Sequence, residues 1–484
     1  MSKRSRRLQT KTIRTEPLQT PEEPAVRVSL AAYAVAGVLL LVPCFWQPRL
    51  QAGDLSSHVY NAWLAHLIQG GQAPGLTIAS QTTNVLFDLV LKALFDAFGP
   101  GAAQRIAVSA SVLVFAAGAF AFVSKIWQRA AWYALPWIAI LAYGWVFHVG
   151  FFNFYLSLGI CFWALAIGWD LEPRKLAAGA GLLVLAYLAH ALPVLWTAGV
   201  MAYLSLARRF GHRVLIASLC GVVLLRVALS QGMQTLWSAN QIPLITGFDQ
   251  AWVFDSKYLL VSIAALGICV IWILRGVEFR KSVIFQVWLL TAAGIAILPG
   301  AVLIPGYKHS LAFISERMSL AAAVCLLAWA GKRIRARDRY VSIPAAAIFF
   351  VLLFLDGRKL NALEDRMDAA VAQLPPMQRV ISGIDLPGTR INAVTHMIDR
   401  VCVGRCYSYA NYEPSTAQFR VRVNGESGIV AATYGDSFAL QTGQYVVKKR
   451  DLPLYQLLID ERSEIQVRTP PVGQACGMTA WNGF

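Results

Sequence analysis

The sequence predicts a polytopic membrane protein, an all-α bundle of about eleven transmembrane helices followed by a soluble α+β region. Three observations predict it. Of the 484 residues, 57% are hydrophobic and 14% are charged, with a mean hydropathy of +0.53, whereas a soluble domain carries about a quarter charged residues. The apolar residues fall in blocks long enough to span a bilayer. The 43 Lys and Arg lie in short clusters between those blocks, the pattern that orients a membrane protein. The net charge of +17 is therefore read as topology and not as a nucleic-acid surface.

Residues 1–27 are polar and basic and read as a disordered cytoplasmic tail. The apolar run from Val28 to Trp46 is too long for a signal-peptide core and no small-residue cleavage site follows it, so it reads as an uncleaved first span. Further spans are expected at 103–124, 131–148, 152–170, 176–190, 193–207, 213–231, 257–275, 283–303, 316–331 and 341–355. With the N-terminus inside, 22 of the 29 Lys and Arg before residue 356 fall inside. Six fall outside (Arg49, Lys92, Arg105, Lys257, Lys308 and Arg317), and Arg226 lies within a span; the split supports this orientation. The segment Asn84 to Phe98 is apolar but short, and Asp88, Lys92 and Asp96 recur along it at i,i+4. One charged stripe on an apolar helix reads as an interfacial helix. The stretch 176–207 breaks at His190-Ala-Leu-Pro193. Proline is tolerated at the start of a helix and breaks one in the middle, so two short spans are expected, with a single kinked helix as the competing reading.

From residue 356 to 484 the composition changes, with 14 basic and 13 acidic residues and short alternating runs, QFRVRVNG and QYVVKKR, that read as strands. This region is expected to be one α+β domain outside the cytoplasm. Its three cysteines, Cys402, Cys406 and Cys476, would meet an oxidising compartment. One disulfide is expected and its pairing is left open. Tyr407, Tyr409 and Tyr412 offer a flat, polar-tipped surface for a carbohydrate or peptide, or else fill the domain's own core.

Two outside loops carry the candidate chemistry. The loop 47–102 opens with GDLSSHVYNAWLAH, in which residues 55–68 read as a helix. Val59, Trp63, Leu67 and Ile68 form its apolar face, and His58, Asn61 and Ala65 share another. Asp54, just before it, is either a general base toward a hydroxyl or an N-cap that bonds the free amides of the first turn. The loop 304–320 concentrates Tyr307, Lys308, His309, Glu316 and Arg317. Its lysine and arginine suit a phosphate, with interfacial snorkelling as the alternative. Arg226 is an ionisable residue within a span, functional or snorkelling to the outer edge. His190, at the outer break, is a pocket candidate or a structural histidine. The sequence has no Walker A, Rossmann glycine, HExxH or paired CxxC pattern, which argues against soluble nucleotides and against a cysteine metal site.

The inward N-terminus, the single span before a long outer loop that opens on an acidic residue, the short paired helices and the outer C-terminal region resemble the GT-C superfamily of membrane glycosyltransferases. That superfamily includes the protein O-mannosyltransferases and the enzyme that adds aminoarabinose to lipid A. The resemblance is architectural and covers about 355 residues. It implies a polyprenyl-phosphate-linked sugar donor held beside membrane lipid, and a glycan, lipid or protein acceptor outside the cytoplasm. Within it Asp54 and His58 are the catalytic candidates. Lys308, Arg317 and Arg226 are the donor-phosphate candidates, and Asn61, His190, Tyr307, His309 and Glu316 are the pocket candidates. Many members carry paired acidic residues at the loop motif, whereas Asp54 is followed here by Leu55 and Ser56. A divalent cation has correspondingly little support, and no other cofactor is implied. The alternative class is an envelope polysaccharide or lipid transporter, flippase or assembly scaffold. The expected compartment is the bacterial inner membrane, with the C-terminal domain periplasmic. A C-terminal alkaline phosphatase fusion is expected to be active and a C-terminal green fluorescent protein fusion dark; the reverse pattern would overturn the orientation.

Overall fold

The computed structural model describes residues 29–276, 282–425 and 427–483. The expected tail 1–27 and most of the basic segment 275–281 lie outside the described residues.

Every expected apolar run is helical. The first is α1 (Leu30–Leu41), followed after the loop by α2 (Leu55–Gln69) and α3 (Leu86–Trp127). Next come α4 (Leu135–Ala142), α5 (Trp145–Val149), α6 (Phe152–Gly168), α7 (Pro173–Ala189), α8 (Ala191–Phe210) and α9 (Arg213–Gly232). The bundle ends with α10 (Leu259–Leu274), α11 (Val283–Ile297), α12 (Ile314–Ala330) and α13 (Arg339–Val371). Among the described residues, seven helical segments are long and apolar enough to cross a membrane, and Leu30–Cys44, Phe152–Gly168 and Val283–Ile297 are shorter apolar helices. The chain is a multi-pass helical membrane protein.

Two breaks set the helix lengths. Gly99 (φ 77) interrupts α3 just before Pro100, so 86–98 and 100–127 point differently; an L side chain disfavours that φ and glycine does not. His190 is extended (φ −166) between α7 and α8. Its Nδ1 accepts from Leu192 N at 3.1 Å, which caps α8, and Ser157 Oγ donates to its carbonyl at 2.8 Å. The stretch is thus two helices, with Pro193 in the first turn of the second.

The bundle has two chemically distinct ends. At one, Lys125 pairs with Asp170 (2.6 Å), Arg208 donates to the Trp169 carbonyl (2.7 Å) and Arg275 pairs with Asp338 (2.6 Å). All of these come from segments that the charge distribution assigns to one side. The other end gathers residues 51–54, the α5–α6 and α7–α8 junctions, the loop before α12 and the C-terminal region.

The first loop departs from the expected interfacial helices. Within α2 every residue from Leu55 to Ala65 is buried, so it lies inside the protein. The stripe on 86–98 turns inward onto it. His58 pairs with Asp88 (2.6 Å), His66 with Asp96 (3.1 Å), and Lys92 Nζ donates to Gln69 (2.9 Å) and to Asp96. The charges find partners on α2, while Leu89, Val90 and Phe98 stay exposed on the opposite face.

The expected boundary at 356 also moves, because α13 runs through it to Val371. Asp356 is buried there and accepts from Lys257 and Tyr258, both at 2.7 Å. The change in composition marks where this helix leaves apolar surroundings, not where it ends. Beyond it, β4 (Arg379–Ser382), β6 (Tyr407–Ser408), β8 (Leu454–Ile459) and β9 (Ile465–Arg468) form a sheet in the order β6-β4-β8-β9, parallel except for β8–β9. The short helices α14 (Met397–Cys402), α15 (Glu413–Thr416) and α16 (Tyr434–Gln441) lie between strands, and β5 (Ile384–Asp385) pairs with β10 (Thr479–Ala480). In the membrane region β2 (Gln234–Leu236) pairs with β3 (Ala301–Leu303). The run QFRVRVNG does form a strand, β7 (Val421–Val423), but its partner is β1 (Leu76–Ile78) of the first loop. QYVVKKR curls around Asp451, whose carboxylate accepts from Tyr409, Tyr445 and the Lys448 amide at 2.8–2.9 Å, and only Val446 bridges, to Ala475. Cys402 pairs with Cys406, and Cys476 is free and buried.

One buried cluster joins the parts. Arg400 of α14 donates to both carboxylate oxygens of Glu364 in α13 (2.7 and 2.6 Å) and to the Leu50 carbonyl (2.7 Å). Gln51 Nε2 donates to the same carboxylate at 2.7 Å. Removing one member of such a pair strands a buried charge, at a cost of about 3–5 kcal/mol, while an apolar replacement of both is close to neutral. Glu364→Gln is expected to lower the detergent melting temperature sharply, and Glu364→Met with Arg400→Leu to recover most of it, as followed by tryptophan fluorescence.

Candidate active site

A cavity of about 180 Å3 opens at the end of the bundle that the C-terminal region covers. Its lining includes Asp54 and His58, Asn153, His190, His309, Arg317, Tyr412 and Glu413.

Asp54 precedes α2, yet its side chain makes no capping bond to the first turn. The backbone holds it instead. Gly53 N donates to the His148 carbonyl and Asp54 N to the Val149 carbonyl, both at 2.8 Å. Gly150 (φ 99) makes room, since a Cβ there would lie 2.5 Å from Asp54 N and 2.9 Å from Asp54 Cβ. The half-buried carboxylate is left facing the cavity, with His396 Nε2 at 3.7 Å.

The same cavity is lined by a cation. The Arg317 guanidinium lies 3.8 Å over the Phe151 ring, and its Nη1 is 3.4 Å from His190 Nε2. Arg317 Nε and His309 Nδ1 are buried without a hydrogen-bond partner among the described residues. Such groups are costly to leave unpaired, and both belong to residues lining this cavity. Burial holds His309 below the ordinary imidazole range.

Beneath lies a second charge layer. Asp88 accepts from Asn153 (2.7 Å) as well as pairing with His58, and Ser57 Oγ donates to Glu413 (3.0 Å). Burial opposes charge on His58, but Asp88, Glu413 and Asp54 outweigh it and raise the imidazole to about 9. Burial raises Glu413 to about 7 against the pull of His58. At neutral pH, His58 is therefore a cation paired to Asp88, and Glu413 sits near its own titration point.

The structure thus gathers Asp54, His58, His190, His309 and Arg317 and leaves the other candidates outside. Lys308 is exposed, and among the described residues it bonds through its backbone amide, to the Thr416 carbonyl (3.1 Å). Tyr307 is exposed as well. Arg226 donates to the Ile297 carbonyl at 3.2 Å and lies over Trp237, tending the end of α11. Asn61 is buried in α2 and accepts from Asn411 (2.9 Å). The Glu316 carbonyl accepts from Gln250 and Ser319, and its side chain does not line the cavity. Reading the sequence did not find His396, Asp399 or Glu413. Only the His-x-x-Asp spacing of His396 and Asp399, one turn apart, could have signalled them. The three tyrosines divide: Tyr412 lines the cavity, Tyr409 is buried on Asp451, and Tyr407 packs on Trp63.

Beside the polar cavity lies an apolar groove of about 540 Å3 between α8, α9, α11 and α12, lined among others by Leu192, Trp196, Val302, Ile314 and Met318. The first turn of α12 separates the two, with Arg317 on the polar side and Met318 on the apolar side. Among the described residues, no group of three or more His, Cys, Asp or Glu is arranged to hold a metal ion. A carboxylate and a cation that line one small cavity can take a proton from a hydroxyl and hold an anion. No protein-family model matches the chain, and no curated protein or solved structure is detectably similar to it.

The His58 shift sets a pH window. Its folded-state value is raised, so the Asp88 pair stabilises fully below about pH 6.5 and that stability is lost as pH rises through about 9. The loss in stability of Asp88→Asn is expected to be largest at pH 6, on the order of 3 kcal/mol, and to shrink as pH rises through about 9, where the bonds from Asn153 and neutral His58 to Asp88 remain. Melting temperatures of the two proteins across that range check it, and a difference that does not change with pH would refute the assignment.

Proposed function

We propose that this chain is a membrane glycosyltransferase that moves a sugar from a polyprenyl-phosphate donor to a hydroxyl acceptor outside the cytoplasm. One observation carries the reading: the Asp54 carboxylate, unused as a cap, lines the same polar cavity as Arg317, and an apolar groove lies beside that cavity. A lipid-linked donor needs all three parts. The groove takes an isoprenoid chain, the unpaired Arg317 Nε and His309 Nδ1 take the phosphate, and the carboxylate takes the acceptor proton.

In this mechanism the acceptor oxygen attacks the anomeric carbon as its proton passes to Asp54. The bond from that carbon to the phosphate oxygen breaks, and the prenyl phosphate leaves with its growing charge held by Arg317. Attack opposite the leaving group inverts the configuration. His58, paired to Asp88, supports the floor and is not the base.

The architecture proposed with this activity is a GT-C-like bundle of eleven spans in a bacterial inner membrane, with the C-terminal region periplasmic. The parity of the loops supports it. Each junction that lines the cavity is one that the 22-to-6 distribution of basic residues puts outside. A transporter calls for polar groups near the bilayer midplane, whereas Arg317 lies in the first turn of α12 and Arg226, inside α9, donates to the last carbonyl of α11.

Asp54→Asn, at wild-type expression and melting temperature, is expected to lower transfer by 10²-fold or more, the range for loss of a general base. The assay is mass-spectrometric detection of prenyl phosphate released from synthetic prenyl-phosphate sugars. Full activity in that variant would end the assignment.

A further inference from the structure

Among the described residues, Asp54 makes one ion pair, and its partner comes from the C-terminal region. His396 Nε2 lies 3.7 Å from Asp54 Oδ1, and His396 Nδ1 lies 3.0 Å from Asp399 Oδ2. Asp399 is itself fixed. Ser408 Oγ donates to its other oxygen, and Ser408 N donates to Tyr60 Oη of α2 at 2.9 Å. The imidazole ring also packs on Tyr412, 5.3 Å between centroids. One nitrogen of a buried ring is therefore braced by a buried carboxylate, and the other points at the candidate base.

Resting on the glycosyl-transfer reading above, we propose that His396 is a positioning residue, an imidazolium braced by Asp399 that holds Asp54 Oδ1 and leaves Oδ2 for the acceptor hydroxyl. A carboxylate without a capping bond is free to rotate about its last torsion, and one fixed donor sets its plane. Misplacing a reacting group by about 1 Å costs on the order of 10²-fold in rate. The separation of 3.7 Å is longer than a hydrogen bond, as contacts between catalytic groups often are before substrate arrives.

The groups that face His396 favour its charged form. They are Asp54 from the first loop, Asp399 one turn along α14, and Tyr412 and Glu413 from the segment that follows β6. Arg400 turns away to Glu364. Burial works against the charge, and the three carboxylates outweigh it and raise His396 above the ordinary range.

Two measurements on the full-length protein test the role. In 15N-histidine-labelled protein, the resonance lost in His396→Gln identifies this residue among the seven histidines. Its titration midpoint is expected to fall in Asp399→Asn and in Asp54→Asn; a midpoint unmoved by Asp54→Asn overturns the proposal. In the prenyl-phosphate release assay, His396→Ala is expected to lower kcat on the order of 10²-fold with KM little changed. Asp399→Asn should shift the alkaline limb of kcat to lower pH, because the imidazolium loses its carboxylate. His396→Gln, a donor at every pH, should restore part of the rate and abolish that limb. A limb that stays in place in Asp399→Asn, or kcat within twofold of wild type in His396→Ala, overturns positioning while wild-type activity leaves the transfer reading standing. If wild type releases prenyl phosphate from no donor, the transfer reading fails, and positioning fails with it even where the titrations are coupled.

Discussion

The constraint on which the site depends is the buried pairing of Arg400 with Glu364. Three parts of the chain that are remote in sequence meet there: residues 50–51, the extension of α13, and α14. A buried ion pair contributes little net stability compared with apolar packing, because desolvation offsets most of the attraction. Its effect is to allow one arrangement. The guanidinium fork fits the carboxylate in one plane, and the bond to the Leu50 carbonyl then sets the approach of the first loop. Residues 51–54 follow directly. His148 Nδ1 contacts the Gln51 carbonyl (3.1 Å), and the Gly53 and Asp54 amides bond to the His148 and Val149 carbonyls. The position of Asp54 is thus decided by backbone and by a charge pair several residues away, and its own side chain is spared that work.

That division accounts for what the sequence disclosed. The helices are legible because a bilayer leaves the backbone no other partner, and apolar runs of spanning length have few other uses. The basic clusters were legible for a related reason. Basic residues are expensive to move across the membrane, and the cluster that joins Lys125, Asp170, Arg208 and Trp169 brings together residues assigned to one side from charge alone. The break at His190 could be read because Pro193 marks it, although the residue that leaves the helix is the histidine.

The site was legible only in part, and the reason is sequence distance. Asp54, His58, His309 and Arg317 stand out because a charged or polar residue beside a span is conspicuous. The same conspicuousness misled at Lys308, Tyr307 and Arg226, since any cation or polar-tipped aromatic at a membrane edge stands out whether it faces a cavity, solvent or a helix end. Nothing local told these cases apart. His396, Asp399 and Glu413 were hidden for the opposite reason. In a region of balanced charge, three more polar residues carry no contrast, and only the fold shows that α14 and α15 lie against α2. The stripe of Asp88, Lys92 and Asp96 was legible as a stripe, but not that it would turn onto α2. Periodicity tells which residues share a face, and it does not tell whether that face meets water or another helix.

The C-terminal region is therefore best regarded as one wall of the cavity and not as an accessory above it. β7 completes a ladder with β1 of the first loop, and Ser408, Asn411 and Glu413 bond to Tyr60, Asn61 and Ser57 along α2. The hydrophobic core is continuous from α2 through Met397 to Trp481. A helix as polar as α2 could not be buried by the bundle alone, because Ser57 and Asn61 would be left with few partners away from water. Those partners stand more than 340 residues later in the chain, at Glu413 and Asn411. Burial of α2 and delivery of His396 to Asp54 are then two consequences of one docking event. The cavity takes its shape only when the last quarter of the chain has closed against the first loop.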